Sequence, residues 1–316
     1  MPKEMLIAVG AGVVSSIAAA AFLNQVPGGM FFGYLASLPL FMAGLAIGPK
    51  AVAIGGAVGF MATGLLAGGL AAGVFAMVQV LPAWLVVKQM LLQRSGGAAG
   101  AVDWFPAGEV LCWLTLLAAA MLALAALAGS GDEGIMTVVT TNLDHFLESV
   151  APAMDEGRQA TMVATMAPLF PGAVGVSWVV MTIVNGTLAQ GLLVRTGHNL
   201  RPSPAYANLA LPQWMSWPLI GSAVLALVGS GELEYTGRNL AMILALPYFF
   251  LGLAVVHSWT RRLAFTGVAL AVFYTVLVIW GWAMLAVAGI GVLEQWGGLR
   301  QWFGGSGGGQ PPANDE

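Results

Sequence analysis

Uncharged polar side chains inside apolar segments are the residues of this chain whose chemistry could serve a ligand. In the stretch WVVMTIVNGTLAQGLL, from Trp178 to Leu193, Thr182 and Asn185 lie three residues apart and share a helix face. Amides and hydroxyls beside apolar walls can hold a small neutral solute, whereas the same groups can also bond one membrane helix to another. The candidate ligand-binding residues are Gln79, Trp178, Thr182, Asn185, Gln190 and Tyr274.

A strongly acidic stretch, NLDHFLESVAPAMDEGRQ, raises the question of a metal site. It holds four acidic residues, one His and one Arg, in a chain with only 8% charged residues. His145 and Glu148 are three apart, so both could face one cation. A single His with scattered acids lacks the spacing of an established metal motif, and a solvated polar face is the interpretation that the pattern favours. We therefore predict no metal site.

Small residues four apart form an unbroken line on the first apolar segment. Small side chains let helix backbones approach closely in lipid, either inside one bundle or against a partner helix. Internal packing is the simpler interpretation, and a docking face for another membrane protein is the sharper one. The candidate docking residues are Ala8, Gly12, Ser16 and Ala20.

Several classes of chemistry find no support in the sequence. It contains no phosphate-binding loop, no HExxH zinc motif and no GxSxG nucleophile, and it has no basic face for a nucleic acid. Ionisable residues deep in the apolar segments are nearly absent, which weighs against a proton-driven pump. We predict a protein that is not an enzyme and uses no cofactor.

Composition places the chain in a lipid bilayer. It has 316 residues, of which 59% are hydrophobic and 8% charged, whereas globular domains carry roughly 25% charged residues. Apolar runs of about 18 residues or more recur, and each can span a hydrocarbon core of roughly 30 Å. The predicted fold class is therefore all-α, a polytopic bundle of transmembrane helices.

Hydropathy predicts about nine spans, or eight if one of the weaker segments does not cross. The stretch from Ala51 to Leu92 is too long for one crossing, and we divide it at a glycine turn near Gly68 and Gly69. We expect one transmembrane domain over residues 1–293 and a flexible Gly/Pro-rich tail over 294–316. The other predicted spans are Met5–Leu23, Met30–Gly48, Pro106–Ala128, Gly172–Val194, Trp217–Gly229, Asn239–Trp259 and Ala264–Val292.

Basic residues orient these spans. With the N-terminus in the cytoplasm, eight of the 11 basic residues fall inside, as expected for a bacterial cytoplasmic (inner) membrane. The acidic stretch then belongs to an outer loop, where its helical apolar period predicts an amphipathic helix near residues 137–155. The inner residues are Lys3, Lys50, Lys88, Arg94, Arg195, Arg201, Arg261 and Arg262, and the outer ones are Arg158, Arg238 and Arg300.

The short Gly/Ala-rich spans, the first-helix line, the segment APLFPGAVGVSWVVMTIVNGTLAQ and the loop RPSPAYANLALPQWM resemble the YybS-like family of bacterial integral-membrane proteins. That family is similar in turn to the substrate-capture (S) subunits of energy-coupling factor transporters. The resemblance implies a coupling partner docked on the small residues of the first helix. S subunits have about six helices, whereas this chain has about nine predicted spans and a long outer loop.

Two functions remain open at this stage. One is transport-related binding of a small neutral solute within the bundle, and the solute is not identified by the sequence. The other is a non-catalytic assembly or scaffold role, in which small-residue helix faces dock another membrane protein. A closed pocket lined by the candidate polar residues would favour the first, and a solid core with exposed glycine faces would favour the second.

Overall fold

The computed structural model describes residues 2–24, 26–95, 102–129 and 134–300. Helices make up almost all of the regular structure, and the strands within these ranges form a short antiparallel hairpin of β1 (Gln93–Ser95) and β2 (Val102–Trp104). The chain divides into two compact units. Unit 1 comprises Met1–Pro204 and Trp217–Leu244, and unit 2 comprises Ala205–Ser216 and Ala245–Glu316.

Unit 1 holds the longer series of helices. Short non-α segments interrupt it in three places: a break between α2 and α3, a π-helical turn at Ala76–Val80 and a 3-10 turn at Ala167–Leu169. Its α-helices are α1 (Lys3–Leu23), α2 (Gly29–Tyr34), α3 (Leu38–Ile47), α4 (Pro49–Ala67), α5 (Gly69–Phe75), α6 (Leu81–Met90), α7 (Ala107–Ala128), α8 (Gly134–Val150), α9 (Glu156–Met166), α10 (Phe170–Thr196), α11 (Ser216–Val228) and α12 (Glu232–Leu244).

Unit 2 holds α13 (Leu246–Thr260), α14 (Thr266–Ile279) and α15 (Trp282–Gly297). Its glycines let α13 and α15 pack closely, because a Cβ on Gly252 or Gly291 would overlap the backbone of the facing helix. Arg300 donates to the carboxylate of Glu294 at 2.7 Å and to the carbonyl oxygens of Ala207 and Leu209, so the residues after α15 are bonded to the preceding loop.

Seven helical segments are long and apolar enough to cross a membrane, or up to eight if a bent pair counts as one, within the described part of the chain. The predicted polytopic α-helical fold is confirmed. The segments are Lys3–Phe22, Gly29–Ile47, Pro49–Ala67, Gly69–Met90, Ala107–Ala128, Glu156–Thr196 and Glu232–Thr260.

The division of the long stretch after Ala51 was predicted correctly. Gly68 lies between α4 and α5 with φ +91°, a conformation that glycine adopts without a Cβ penalty. The amphipathic helix predicted near residues 137–155 is also present, since α8 covers Gly134–Val150.

Two weaker spans differ from the prediction. The predicted span Trp217–Gly229 corresponds to α11, whose 13 residues reach only about 20 Å at ~1.5 Å per residue, short of a hydrocarbon core. The predicted span Ala264–Val292 is two helices, α14 and α15, bent by 119°. By length and composition the described residues therefore offer seven or eight spans, which agrees with the lower of the two predicted counts and not with nine. Hydropathy missed both features because it measures composition over a window and not the direction of the backbone.

The predicted tail overlaps the end of the described chain. Residues 294–297 form the last turn of α15. Residues 301–316, which make up most of the predicted tail, lie outside the described residues.

Candidate functional site

The helices of unit 1 are interrupted at three places, and each interruption leaves backbone groups without their intrahelical partners. The interruptions lie between α2 and α3, in the π-helical turn before Pro82, and in the 3-10 turn before Pro171. In a bilayer, such groups must be satisfied by the protein itself or by water in a cavity. The side chains that form hydrogen bonds with these backbone groups make up the polar interior of unit 1.

Side chains of α10 and α1 donate hydrogen bonds to the free carbonyls at the first interruption. Asn185 donates from Nδ2 to the carbonyl oxygen of Tyr34 at 2.7 Å, and Ser15 donates from Oγ to that of Ala36 at 2.5 Å. The hydroxyl of Tyr34 lies 2.9 Å from Oγ of Ser177. Asn185 is buried, yet its Oδ1 has no hydrogen-bond partner among the described residues.

At the second interruption, Trp178 donates a hydrogen bond to a backbone carbonyl. Pro82 has no N–H, so the carbonyl oxygen of Val78, four residues earlier, cannot receive the usual helical bond. Nε1 of Trp178 donates to that oxygen at 3.0 Å. The neighbouring Gln79 lies within the π-helical turn and is buried, and its Oε1 finds no partner in the described structure. Turns of this kind are frequent at functional sites.

At the third interruption, two side chains of α12 bond the backbone. Neither was among the candidate residues predicted from the sequence. Pro171 cannot donate the α-helical bond to the carbonyl oxygen of Ala167. That oxygen accepts instead from the N–H of Phe170 in the 3-10 turn and from the hydroxyl of Tyr235 at 2.9 Å. Asn239 accepts from the N–H of Gly172 at 2.7 Å and donates to the carbonyl oxygen of Pro168 at 3.0 Å. The proline pair was the available signal, because a proline cannot donate the usual helical bond and so indicates a break in the helix.

The predicted polar residues of α10 form hydrogen bonds in different parts of the structure. Thr182 is buried and donates to the carbonyl oxygen of Trp178 at 2.9 Å, within its own helix. Gln190 donates from Nε2 to the carbonyl oxygen of Arg201 at 2.7 Å, and Arg201 in turn donates to that of Met90. Gln190 therefore fastens the end of α10 to the loop that follows it.

Tyr274 belongs to unit 2, whereas the other candidate ligand-binding residues belong to unit 1. Its hydroxyl lies 3.3 Å from Nε2 of His257, whose Nδ1 is 2.9 Å from the carbonyl oxygen of Leu253. This geometry requires a proton on Nδ1, so the tyrosine hydroxyl donates to Nε2 when the imidazole is neutral.

The bond from Trp178 to Val78 places α10 beside the π-helical turn that holds Gln79, and Asn185 bonds the break between α2 and α3. We call Gln79, Trp178, Thr182 and Asn185 the polar seam. Trp178, Thr182 and Asn185 follow each other at spacings of four and three, along roughly 10 Å of α10. The donors of Trp178, Thr182 and Asn185 are occupied by backbone carbonyls, and the amide oxygens of Gln79 and Asn185 have no donor in the described residues. The seam is thus a set of free acceptors beside a half-buried indole.

The four candidate docking residues lie inside unit 1. Ala8, Gly12, Ser16 and Ala20 are buried, and a Cβ on Gly12 would overlap the carbonyl of Gly55 in α4. The interpretation as internal packing therefore describes this line of small residues. It presents no free surface to a partner helix in this structure.

The acidic stretch forms a second local structure. Asp155 caps α9 by accepting from the N–H of Arg158 at 3.1 Å, and Gln159 donates to Oδ1 of Asp144 at 2.8 Å. His145 and Glu148 are exposed, with 3.5 Å between Nδ1 and Oε2. Within the described residues, no three or more His, Cys, Asp or Glu side chains come together in a way that could hold a metal ion.

An apolar groove runs along α8 beside the beginning of α10. Its volume is about 290 Å³. The residues that line it are Val138, Val139, Asn142, Leu143, Phe146 and Phe170.

Comparison with known proteins gives one result. A family model described as "Predicted membrane protein (DUF2232)" matches residues 13–294, from within α1 to within α15, which include the polar seam. Neither a curated protein nor a solved structure shows a significant match.

Proposed function

The chain belongs to the DUF2232 family of predicted membrane proteins, and from that premise we propose that unit 1 binds a small neutral solute at its polar seam. The protein would serve transport across the membrane as a binding component and not as an enzyme. The observation that carries the proposal is the pair of buried amide oxygens, of Gln79 and Asn185, without donors among the described residues.

Such oxygens are costly to leave unpaired. A buried acceptor without a donor destabilises the folded state by about 1–3 kcal/mol, and most buried polar atoms in proteins have a partner. A solute or an ordered water that presents N–H or O–H groups would remove this cost. Because the free groups are acceptors without formal charge, we infer a ligand that is uncharged and rich in donors.

The geometry around the oxygens supports the same conclusion. The bond from Trp178 to the carbonyl of Val78 fixes the indole beside Gln79. The seam therefore combines an aromatic wall with a small number of polar groups, the usual composition of a small-molecule site. Interrupted helices next to it are also characteristic of substrate sites in membrane transporters.

The resemblance to YybS-like proteins and to substrate-capture subunits supports a capture role at this seam. Docking of a coupling partner through Ala8, Gly12, Ser16 and Ala20 would require α1 to leave α4, because these residues are buried. We therefore propose that any coupling partner engages another surface of the protein.

We also propose a bacterial cytoplasmic membrane, with the N-terminus in the cytoplasm. The first six crossing segments, through Thr196, support this orientation without the weaker spans. One side receives six basic residues of the first 204, and the other side receives Arg158. The six are Lys3, Lys50, Lys88, Arg94, Arg195 and Arg201.

The alternative is a scaffold protein that docks another membrane protein. One observation favours it: Gly69 and Gly73 of α5 lie four apart with open space beside both, next to the exposed side chains of Leu70 and Val74. Small residues on an open face permit close approach of a partner helix. Copurification from native membranes with Gly73→Leu as the test variant distinguishes this role, since a change in α5 leaves the polar seam intact.

The decisive test of solute binding is Gln79→Met, which removes the free acceptor but keeps the length of the side chain. The protein in lipid nanodiscs is screened by thermal shift against uncharged polyols, amides and nucleosides. Wild type should be stabilised by at least one of them, and Gln79→Met should lose that shift while its own melting temperature stays equal or rises.

The matched control is Gln190→Met, because the Oε1 of Gln190 also lacks a donor in the described structure but lies at the end of α10. It should retain the shift. Solute binding at the seam is rejected if no solute stabilises wild type, or if Gln79→Met binds it as well as wild type does.

A further inference from the structure

Helix α8 carries more apolar surface than its packing uses. One stripe, which includes Ile135, Leu143 and Leu147, is buried, and its latter part packs against Val163 and Ala167. A second stripe follows at the same four-residue spacing, and its apolar members stay exposed: Val138 at 40%, Phe146 at 57% and Val150 at 61%. The helix therefore presents an apolar face that unit 1 does not cover.

The groove along α8 lies on this second stripe. Val138 and Phe146 form its walls, while Leu143 and Phe170 contribute its buried side. The lining is apolar except for Asn142. A cleft of about 290 Å³ with such a lining suits a hydrocarbon chain and offers little to a polar ligand.

The groove is continuous with the surface that faces the bilayer. Phe170 begins α10, and its neighbours Leu169 and Val174 are exposed apolar residues of the same crossing segment. Acyl chains that cover these residues would also reach the groove. This continuity favours lipid as the occupant, because the crossing segment next to the groove is long and apolar enough to lie in a bilayer.

The charge of the residues around the groove restricts the kind of lipid headgroup that can lie there. Described residues 134–166 carry four acids, namely Asp144, Glu148, Asp155 and Glu156, against one fully charged base, Arg158, so the sum is 1 − 4 = −3. An anionic headgroup would be repelled at this position. We propose that the groove binds an acyl chain of a membrane lipid whose headgroup has no net charge, and that this contact holds α8 in the membrane interface.

Spin labels at single positions of α8 test the proposal. Cys112 is fully buried, so a nitroxide reagent can be directed to a new exposed cysteine, with wild type treated identically as the control for background labelling. The variants are Val138→Cys and Phe146→Cys in the groove and His145→Cys on the polar face. The protein is reconstituted in phosphatidylcholine nanodiscs, and collision with oxygen, which concentrates in lipid, is compared with collision with a water-soluble nickel chelate.

The groove labels should collide several-fold more with oxygen than with the nickel chelate, and the label at 145 should show the opposite preference. Replacing half of the phosphatidylcholine by phosphatidylglycerol should weaken the oxygen preference in the groove. Nickel access equal to that at 145 would overturn the proposal, because the face would then lie in water. Shielding from both reagents would also overturn it, since a protein surface would then cover the groove.

Discussion

Trp178→Phe is expected to destabilise the protein through one hydrogen bond. The change keeps an aromatic ring but removes the N–H that donates to the carbonyl oxygen of Val78. Pro82 cannot supply a replacement donor, so the oxygen is left unpaired in the bundle. A buried acceptor that loses its donor costs about 1–3 kcal/mol, whereas interhelical bonds in membranes average ~0.6 kcal/mol because the unfolded state in lipid finds partners too. We expect a loss of about 1–2 kcal/mol.

The assay is unfolding by sodium dodecyl sulfate in mixed micelles, read by loss of helical circular dichroism. Trp217→Phe is the matched control, because the side chain of Trp217 is exposed. Its unfolding free energy should change little. An equal loss in both variants would show that the general effect of removing an indole, and not the bond to Val78, accounts for the result.

A double-mutant cycle with Pro82→Ala isolates the cause. Alanine restores an N–H at position 82, which can donate to the carbonyl of Val78 from within the helix. Trp178→Phe should then cost clearly less in the Pro82→Ala background than in wild type, because any lost packing is common to both. An unchanged cost would refute the assignment of Trp178 as the donor that compensates for the proline.

Three further predictions concern other parts of unit 1. Asn185→Leu should lower the unfolding free energy by less than Trp178→Phe does in the same assay, because the carbonyl of Tyr34 loses its donor while the cost of the unpaired Oδ1 is removed; a loss larger than that of Trp178→Phe would contradict this account. Gly12→Leu should abolish accumulation of folded protein, measured by size-exclusion chromatography in detergent, since a side chain there overlaps α4; a monodisperse variant would contradict the internal packing of α1. A reporter active only outside the cytoplasm should give signal when fused after Gly131 and none when fused after Thr196, and the reverse pattern would invert the proposed orientation.

The sequence was sufficient for features that depend on local composition. The membrane class follows from the scarcity of charge, and the boundary at Gly68 follows from a glycine pair within a stretch too long for one helix. The amphipathic character of α8 follows from the spacing of its apolar residues. Each of these signals lies within one or two helical turns, so periodicity and length reveal it.

The remaining features depend on contacts between distant segments. Asn239 was read as the first residue of a span, because nothing near it in sequence indicates the proline break that it satisfies 71 residues away. The small residues of α1 allowed two interpretations, of which internal packing was the simpler, and the close approach of Gly55 to Gly12 supports that one. The bend between α14 and α15 likewise leaves the hydropathy unchanged, so composition could not distinguish it from one straight span.

The bond between Asn185 and Tyr34 has a consequence for the synthesis and membrane insertion of the protein. The two residues are 151 positions apart, so the second crossing segment enters the bilayer long before its partner exists. At about 5–20 residues per second, translation of the intervening chain takes roughly 8–30 s. Throughout that interval the interrupted segment carries an unpaired carbonyl in lipid. Unit 1 therefore completes this bond only after α10 has been made.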